Sequence, residues 1–318
     1  MSVVVFILGI SFHRPNFCPN SQWQSTATTF ADINIVGTHP WGIFITKDNT
    51  VYTLNTDSSY VGVWPSGSTS PARYISGNLQ YPYSLFVSDS NDVYIDNGYS
   101  NLQVDRRSPN STNSTAAMFV CEACYGLFID INDNIYCSMY NAHKVVSRSL
   151  KSRLNVFNVV AGTGSSGYTA TTLYGPNGIF VDTNLDLYVA DYGNSRIQKF
   201  ATGQLSATTI NTGPIVLNGP IGVLLDANGY LYIADDYNHR IIGSDQNGFR
   251  CIAACNGLTT SASNALYFPT GISFDSYGNL YAVDWGNSRV QKFTLLTSLC
   301  SKLIRIRESL IFYFIHCL

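Results

Sequence analysis

An all-β, six-bladed β-propeller built of four-stranded blades is the fold this sequence predicts, for three reasons. One hairpin pattern recurs six times with a fixed internal spacing. The Tyr that marks each copy recurs after 42, 42, 52, 44 and 49 residues, a length suited to a four-stranded unit repeated radially. A lone strand-like stretch precedes the first copy, and the last copy is one strand short.

The pattern reads Pro, any residue, Gly, several β-formers, an Asx/Gly turn and an apolar–Tyr strand. It runs from Pro40-Trp41-Gly42 to Tyr52, from Pro82-Tyr83-Ser84 to Tyr94, and from Cys124-Tyr125-Gly126 to Tyr136. It returns from Pro176-Asn177-Gly178 to Tyr188, from Pro220-Ile221-Gly222 to Tyr232, and from Pro269-Thr270-Gly271 to Tyr281. In every copy the Tyr follows the Gly or Ser position by ten residues. Residues 178–182 (GIFVD) and 186–191 (DLYVAD) read as an antiparallel pair around a polar turn. Residues 196–200 (RIQKF) supply a third strand and residues 207–211 a fourth. Strands covered on both faces by neighbouring blades explain the nearly continuous apolar runs. Pairing Thr28–Ala31 onto Arg289–Phe293 closes the ring and removes its exposed edges. The ring thus occupies residues 27–293, between an N-terminal segment (1–26) and an atypical tail (294–318).

Composition agrees with this fold. The chain has 318 residues, 45% of them apolar, enough for a large core. Only 12% are charged and the net charge is −2, which excludes disorder and any general pull toward nucleic acid or anionic membrane. With 21 Tyr, 17 Phe and 25 Gly, strands are favoured, and a coiled coil or helical bundle is excluded. No run reaches the roughly 18 to 20 apolar residues of a membrane-spanning helix. Residues 3–10 (VVVFILGI) are a candidate core of a degraded signal peptide, without a basic start. The tail joins Lys302, Arg305 and Arg307 to a short apolar end and carries no function in this reading.

Residues 187–200 (LYVADYGNSRIQKF), 231–242 (LYIADDYNHRII) and 280–293 (LYAVDWGNSRVQKF) resemble NHL repeats. The resemblance covers roughly residues 27–293 and is strongest in the last three copies; Tyr52 and Tyr94 lack the following Asn-x-Arg element. It implies a six-bladed recognition scaffold, similar to secreted or surface NHL-repeat proteins of invertebrates. The Asp191–Arg196, Asp235–Arg240 and Asp284–Arg289 couples recur in each good copy, so they are assigned to tying the second strand to the third. Lys144 is the weaker counterpart in the third copy.

Residues 130–134 (DINDN) and 182–186 (DTNLD) imitate the opening of a calcium loop, but no Glu or flanking helices complete it, so they read as Asx turns. His143 and His239 fall at the repeat's own His position; His13 and His316 lie toward the termini, leaving His39. Peptidyl-hydroxyglycine amidating lyase shares this fold and looks to tunnel His residues for zinc. The equivalent positions here are Trp41, Tyr83, Tyr125, Asn177, Ile221 and Thr270, none a usual zinc ligand. No phosphate loop or nucleophile elbow is present, and Cys121-Glu122-Ala123-Cys124 is a lone C-x-x-C. No metal, cofactor or catalytic residue is therefore assigned.

Eight Cys suggest oxidation, with Cys124–Cys137, Cys251–Cys255 and Cys18–Cys300 as proposed pairs and Cys121 and Cys317 left over. Asn110 and Asn113 head two glycosylation sequons. Together these favour a secreted or cell-surface location.

Hairpin geometry puts the residue before each repeat Gly and the residue four after each repeat Tyr on one face. The second set is Thr56, Gly98, Tyr140, Tyr192, Asp236 and Trp285. Six of these twelve positions are aromatic, against 13% of the chain, and none is Lys or Arg. That disfavours a nucleic-acid face and suits a protein, peptide or glycan ligand. The expected binding residues are Trp41, Tyr83, Tyr125, Tyr140, Asn177, Tyr192, Asp236 and Trp285, on a monomeric, non-catalytic propeller. The alternative is a substrate-recognition module of the ubiquitin-ligase NHL type, although no RING pattern is present; a lyase-like enzyme ranks third.

Overall fold

A computed structural model describes residues 12–109, 111 and 113–296. Six four-stranded antiparallel sheets follow one another around a central channel. Blade four illustrates the unit, with strands Pro176–Val181, Leu187–Asp191, Arg196–Phe200 and a two-residue outer strand, Thr208–Thr209. The second strands of blades one, two, four, five and six are buried at every residue. Each side chain packs inward or against the neighbouring blade, and burying one Val, Leu or Ile contributes about 1.5–3 kcal/mol.

Closure is the N-terminal kind. Thr28–Ala31 pairs with Arg289–Phe293, matching Thr28 to Lys292 and Thr29 to Gln291, with a bulge before Ala31. Residues 12–26 also rest on the ring. Trp23 donates its indole N–H to the Gly278 carbonyl at 2.9 Å and packs with Phe17, Tyr232 and Phe274. Residues 3–10, and the tail beyond Leu296 with His316, lie outside the described residues.

The Pro-x-Gly signature has a mechanical meaning. In blades one, three, four, five and six the strand register slips at this point, so the first strand carries a β-bulge. A bulge re-aims a side chain, and the middle residue turns toward the channel. In blades three and four the following Gly is required because the next blade's backbone abuts it. A Cβ on Gly126 would meet the Asn177 carbonyl oxygen at 2.6 Å. Blade two places Ser84 there, and its hydroxyl donates to the Cys124 carbonyl instead.

Candidate ligand-binding site

At one end of the channel a cavity of about 480 Å³ is lined by Trp41, Tyr125, Tyr140, Asn177, Tyr192, Ile221, Asp236, Tyr237, Phe268, Thr270 and Trp285. Seven of the eight expected binding residues therefore converge there. Tyr83 stands behind them, stacked on Tyr125 at 4.2 Å, and lines the narrower throat of about 110 Å³ below. Tyr237 and Phe268 escaped the sequence reading. Tyr237 follows Asp236 in a short 3-10 turn, Asp236–Asn238. Phe268 precedes the repeat Pro, and its φ of 52° swings it to the mouth.

These rings form a collar around the axis. Tyr125 meets Tyr140 at 4.9 Å, Tyr140 meets Tyr192 at 5.9 Å, and Tyr192 meets Tyr237 at 5.9 Å. Tyr237 meets Phe268 at 5.6 Å, and Phe268 meets Trp285 at 6.1 Å. Trp41 completes the arc against Tyr83 at 5.5 Å. Two of their hydroxyls bond each other: Tyr192 donates to Tyr237 at 2.9 Å. Burial and this contact push the Tyr192 phenol up, and burial does the same to Tyr125 and Tyr140. All three stay neutral at physiological pH. His39 stacks on Trp285 at the rim, 4.7 Å between centroids, and pairs with Asp57 at 2.7 Å.

Asp236 is the exception among these side chains. It is 5% exposed, and its Oδ1 is buried with no hydrogen-bond partner among the described residues. Burial, together with the neighbouring Asp235 carboxylate, pushes its carboxyl up to about 7.

The other end of the channel is stopped. Phe12 sits among Phe44, Phe86, Phe128 and Phe180, one ring from each of the first four blades, at 5.5 to 6.2 Å. Arg14 anchors this plug by donating to the Asp226 carbonyl at 2.7 Å. The cavity is thus a cup with one mouth.

The repeated residues lie away from it. Asp191 accepts from the Tyr174 amide at 2.7 Å and from Arg196 Nε at 2.7 Å, and Arg196 donates onward to the carbonyls of Tyr168, Thr169 and Thr172. Asp235 binds the Asn218 amide and Arg240, and Asp284 binds the Tyr267 amide and Arg289, in the same way. Each couple fastens the second strand to the third and to the loop leading into the blade.

The two repeat His residues latch blades together. His143 Nδ1 accepts from the Gly175 amide at 3.1 Å, and His239 Nδ1 from the Phe268 amide at 3.2 Å. Ser195, Ser59 and Ser288 accept likewise from Gly219, Tyr81 and His39. The last of these joins blade six to blade one. Burial holds the His239 pKa below its ordinary value, keeping the ring neutral and able to accept.

Asp130 Oδ1 accepts from the Asn132 and Asn134 amides, and Asp182 Oδ1 from Asn184 and Asp186, the geometry of Asx turns. Among the described residues no cluster of three or more His, Cys, Asp or Glu is placed to hold a metal. Cys124–Cys137 and Cys251–Cys255 are disulfide-bonded, with Cα atoms 5.1 and 5.7 Å apart, and Cys121 is a free, exposed thiol. Cys300 and Cys317 lie outside the described residues, so the Cys18–Cys300 pairing does too. Asn113 is exposed in the loop before Thr115–Phe119, and Asn110 lies outside the described residues. No helix is long and apolar enough to cross a membrane among the described residues.

Residues 173–200 and 266–293 match the NHL repeat family. No curated protein sequence matches the chain. Solved structures resemble the ring at low identity. A protein of unknown function from Bacteroides thetaiotaomicron VPI-5482 superposes with a TM-score of 0.68 at 14% identity, covering 81% of this chain and 70% of that one. A streptogramin B lyase gives 0.58 at 12%, covering 85% and 97%. A gluconolactonase from Xanthomonas campestris gives 0.59 at 13%, covering 92% and 99%. Identities this low carry the fold and nothing about chemistry.

Proposed function

Because the chain is an NHL-repeat β-propeller, we propose that it is a non-catalytic recognition protein of the extracellular space or cell surface, binding its ligand in the aromatic cup. The single observation that carries this is the convergence of seven non-repeated residues, five of them aromatic, on one cavity of about 480 Å³ with a single mouth. A concave, mostly apolar site with a few polar groups is the usual form of a ligand pocket. Among the described residues no Lys or Arg lines it, which separates it from a nucleic-acid face. Two disulfides and an exposed sequon asparagine, Asn113, support the extracellular assignment.

The test is to secrete the protein from a eukaryotic cell and screen it on glycan and peptide arrays. Binding that disappears in Trp41→Ala/Trp285→Ala, with the melting transition retained, supports the reading. Binding indifferent to both Trp residues would move the site elsewhere. A catalytic role has one observation in its favour, an Asp236 carboxyl poised near neutrality; turnover of an array ligand that Asp236→Asn abolishes would establish it instead. A reduced, unglycosylated chain retained inside the cell would favour the intracellular adaptor reading.

A further inference from the structure

We propose that the cup binds a methylated ammonium group, caged by the aromatic collar with Asp236 as its counter-charge. This rests on the ligand-binding reading and names the ligand's chemistry. Aromatic faces carry negative potential and attract cations most strongly where water is excluded. Tyr140, Tyr192, Phe268 and Trp285 supply such rings around the cavity that Asp236 also lines.

The carboxylate supplies the second, independent argument. A buried anion is costly unless it is paired. Asp191, Asp235 and Asp284 each have an Arg within 2.8 Å, whereas Asp236, one residue past Asp235, has none among the described residues. Its Oδ1 is buried and unpartnered in a cavity without Lys or Arg. A positive ligand is the missing complement.

The walls also select the kind of cation. A primary ammonium brings three N–H donors that must all be satisfied. Apart from Asp236 and the phenols, the polar side chains in the wall are Asn177 and Thr270, and the Thr270 hydroxyl already donates to the Trp41 carbonyl at 2.6 Å. A fully methylated nitrogen has no N–H to satisfy and presents methyl groups that pack on rings. A phosphate-bearing headgroup finds no cation in the wall, so the favoured carriers are free choline-type molecules and trimethylated lysine side chains.

Calorimetry and Trp fluorescence with choline, phosphocholine, a trimethyl-lysine peptide and the neutral carbon isostere of choline test this. We expect choline or the peptide to bind at least about tenfold more tightly than the isostere, about 1.4 kcal/mol. Asp236→Asn, equal in shape, should remove that preference while leaving isostere binding unchanged. Trp285→Phe should weaken every ligand modestly, which reports that the cup stays folded. Choline against the peptide distinguishes a free metabolite from a modified protein, and tight phosphocholine binding points to a lipid headgroup. Equal affinity for choline and its isostere, insensitive to Asp236→Asn, overturns the cation assignment and leaves the cup a site for neutral ligands. Array ligands that need Trp285 while no ammonium binds have the same meaning. If nothing binds in the cup at all, both readings fall.

Discussion

Blades four to six and blades one to three reach the same architecture by different chemistry. In the later blades an Asp accepts from a loop amide, an Asn three residues on and an Arg five residues on. In blade one the position belongs to Asn55, whose amide donates to the Val36 and Thr38 carbonyls. In blade two Asn97 accepts from the Gln80 amide, while Arg107 reaches the Ser76 carbonyl. Blade three has Met139 at this position and carries the Cys124–Cys137 disulfide inside its hairpin. The fold thus requires that the blade's lead-in loop be fastened, and several side-chain sets do that. Repeat signatures report one solution, and the family match falls on two of the three blades that use it, four and six.

The largest effect should come from cutting an ionic clamp. Asp284→Ala leaves Arg289, only 12% exposed, without its carboxylate; loss of one partner of a buried pair costs about 3–5 kcal/mol. Asn55→Ala removes only neutral hydrogen bonds and should cost about 1–3 kcal/mol. Denaturant unfolding of both variants measures the difference, and equal losses would erase the distinction between the two halves.

Next comes the covalent fastening of blade three. Cys124→Ser with Cys137→Ser opens a closed segment of sequence separation 13, with an expected cost of about 3 kcal/mol. The Cys251–Cys255 pair, separation 4, should cost less. Comparing melting temperatures of the two double variants tests this ranking; a reversal would mean that blade three is held by other contacts.

Asp236 makes a smaller, pH-dependent contribution. Its folded pKa lies above the ordinary 3.8, at about 7, so the folded state holds the proton more tightly. Its stabilising effect is full below pH 3.8 and fades as pH rises through 7. The groups facing it are Asp235, already ion-paired with Arg240, and the phenol of Tyr192, which burial keeps neutral. The stability gap between Asp236→Asn and the parent should therefore move in favour of the variant between those pH values. A flat gap would mean that the carboxylate is already satisfied.

The smallest effect separates a latched blade from an unlatched one. His239→Ala loses one hydrogen bond to the Phe268 amide, about 1 kcal/mol. Leu102, the left-handed residue of blade two, is 47% exposed and apolar, and Leu102→Ala should change stability by less than about 0.5 kcal/mol. Equal shifts in denaturation midpoint would remove the latch from the explanation.

Much of the fold was legible because its determinants are local and repeated. Six Pro-x-Gly to Tyr hairpins, the unpaired Thr28–Ala31 strand and the short last blade predicted both the blade count and the closure that Thr28 and Lys292 make. The two disulfides followed from hairpin geometry and short separation. His143 and His239 were placed in the repeat, but their task was not visible, since their partners lie 32 and 29 residues away on the next blade.

For the cup, hairpin direction alone put Trp41, Tyr125, Tyr140, Asn177, Tyr192, Asp236 and Trp285 on one face. It fixes no depth, and Tyr83, stacked on Tyr125, lines the throat below the cup. Phe268 depends on a positive φ, and Phe12 reaches the channel from outside the repeats. Periodicity and turn chemistry act over a few residues, so sequence alone determines strands, blades, ring closure and the face each position occupies. Which rings meet around the axis, that Asp236 is left without an Arg, and that Phe12 stops one end depend on six distant segments converging at once. Only the closed ring sets those distances and gathers the collar and its carboxylate into one site.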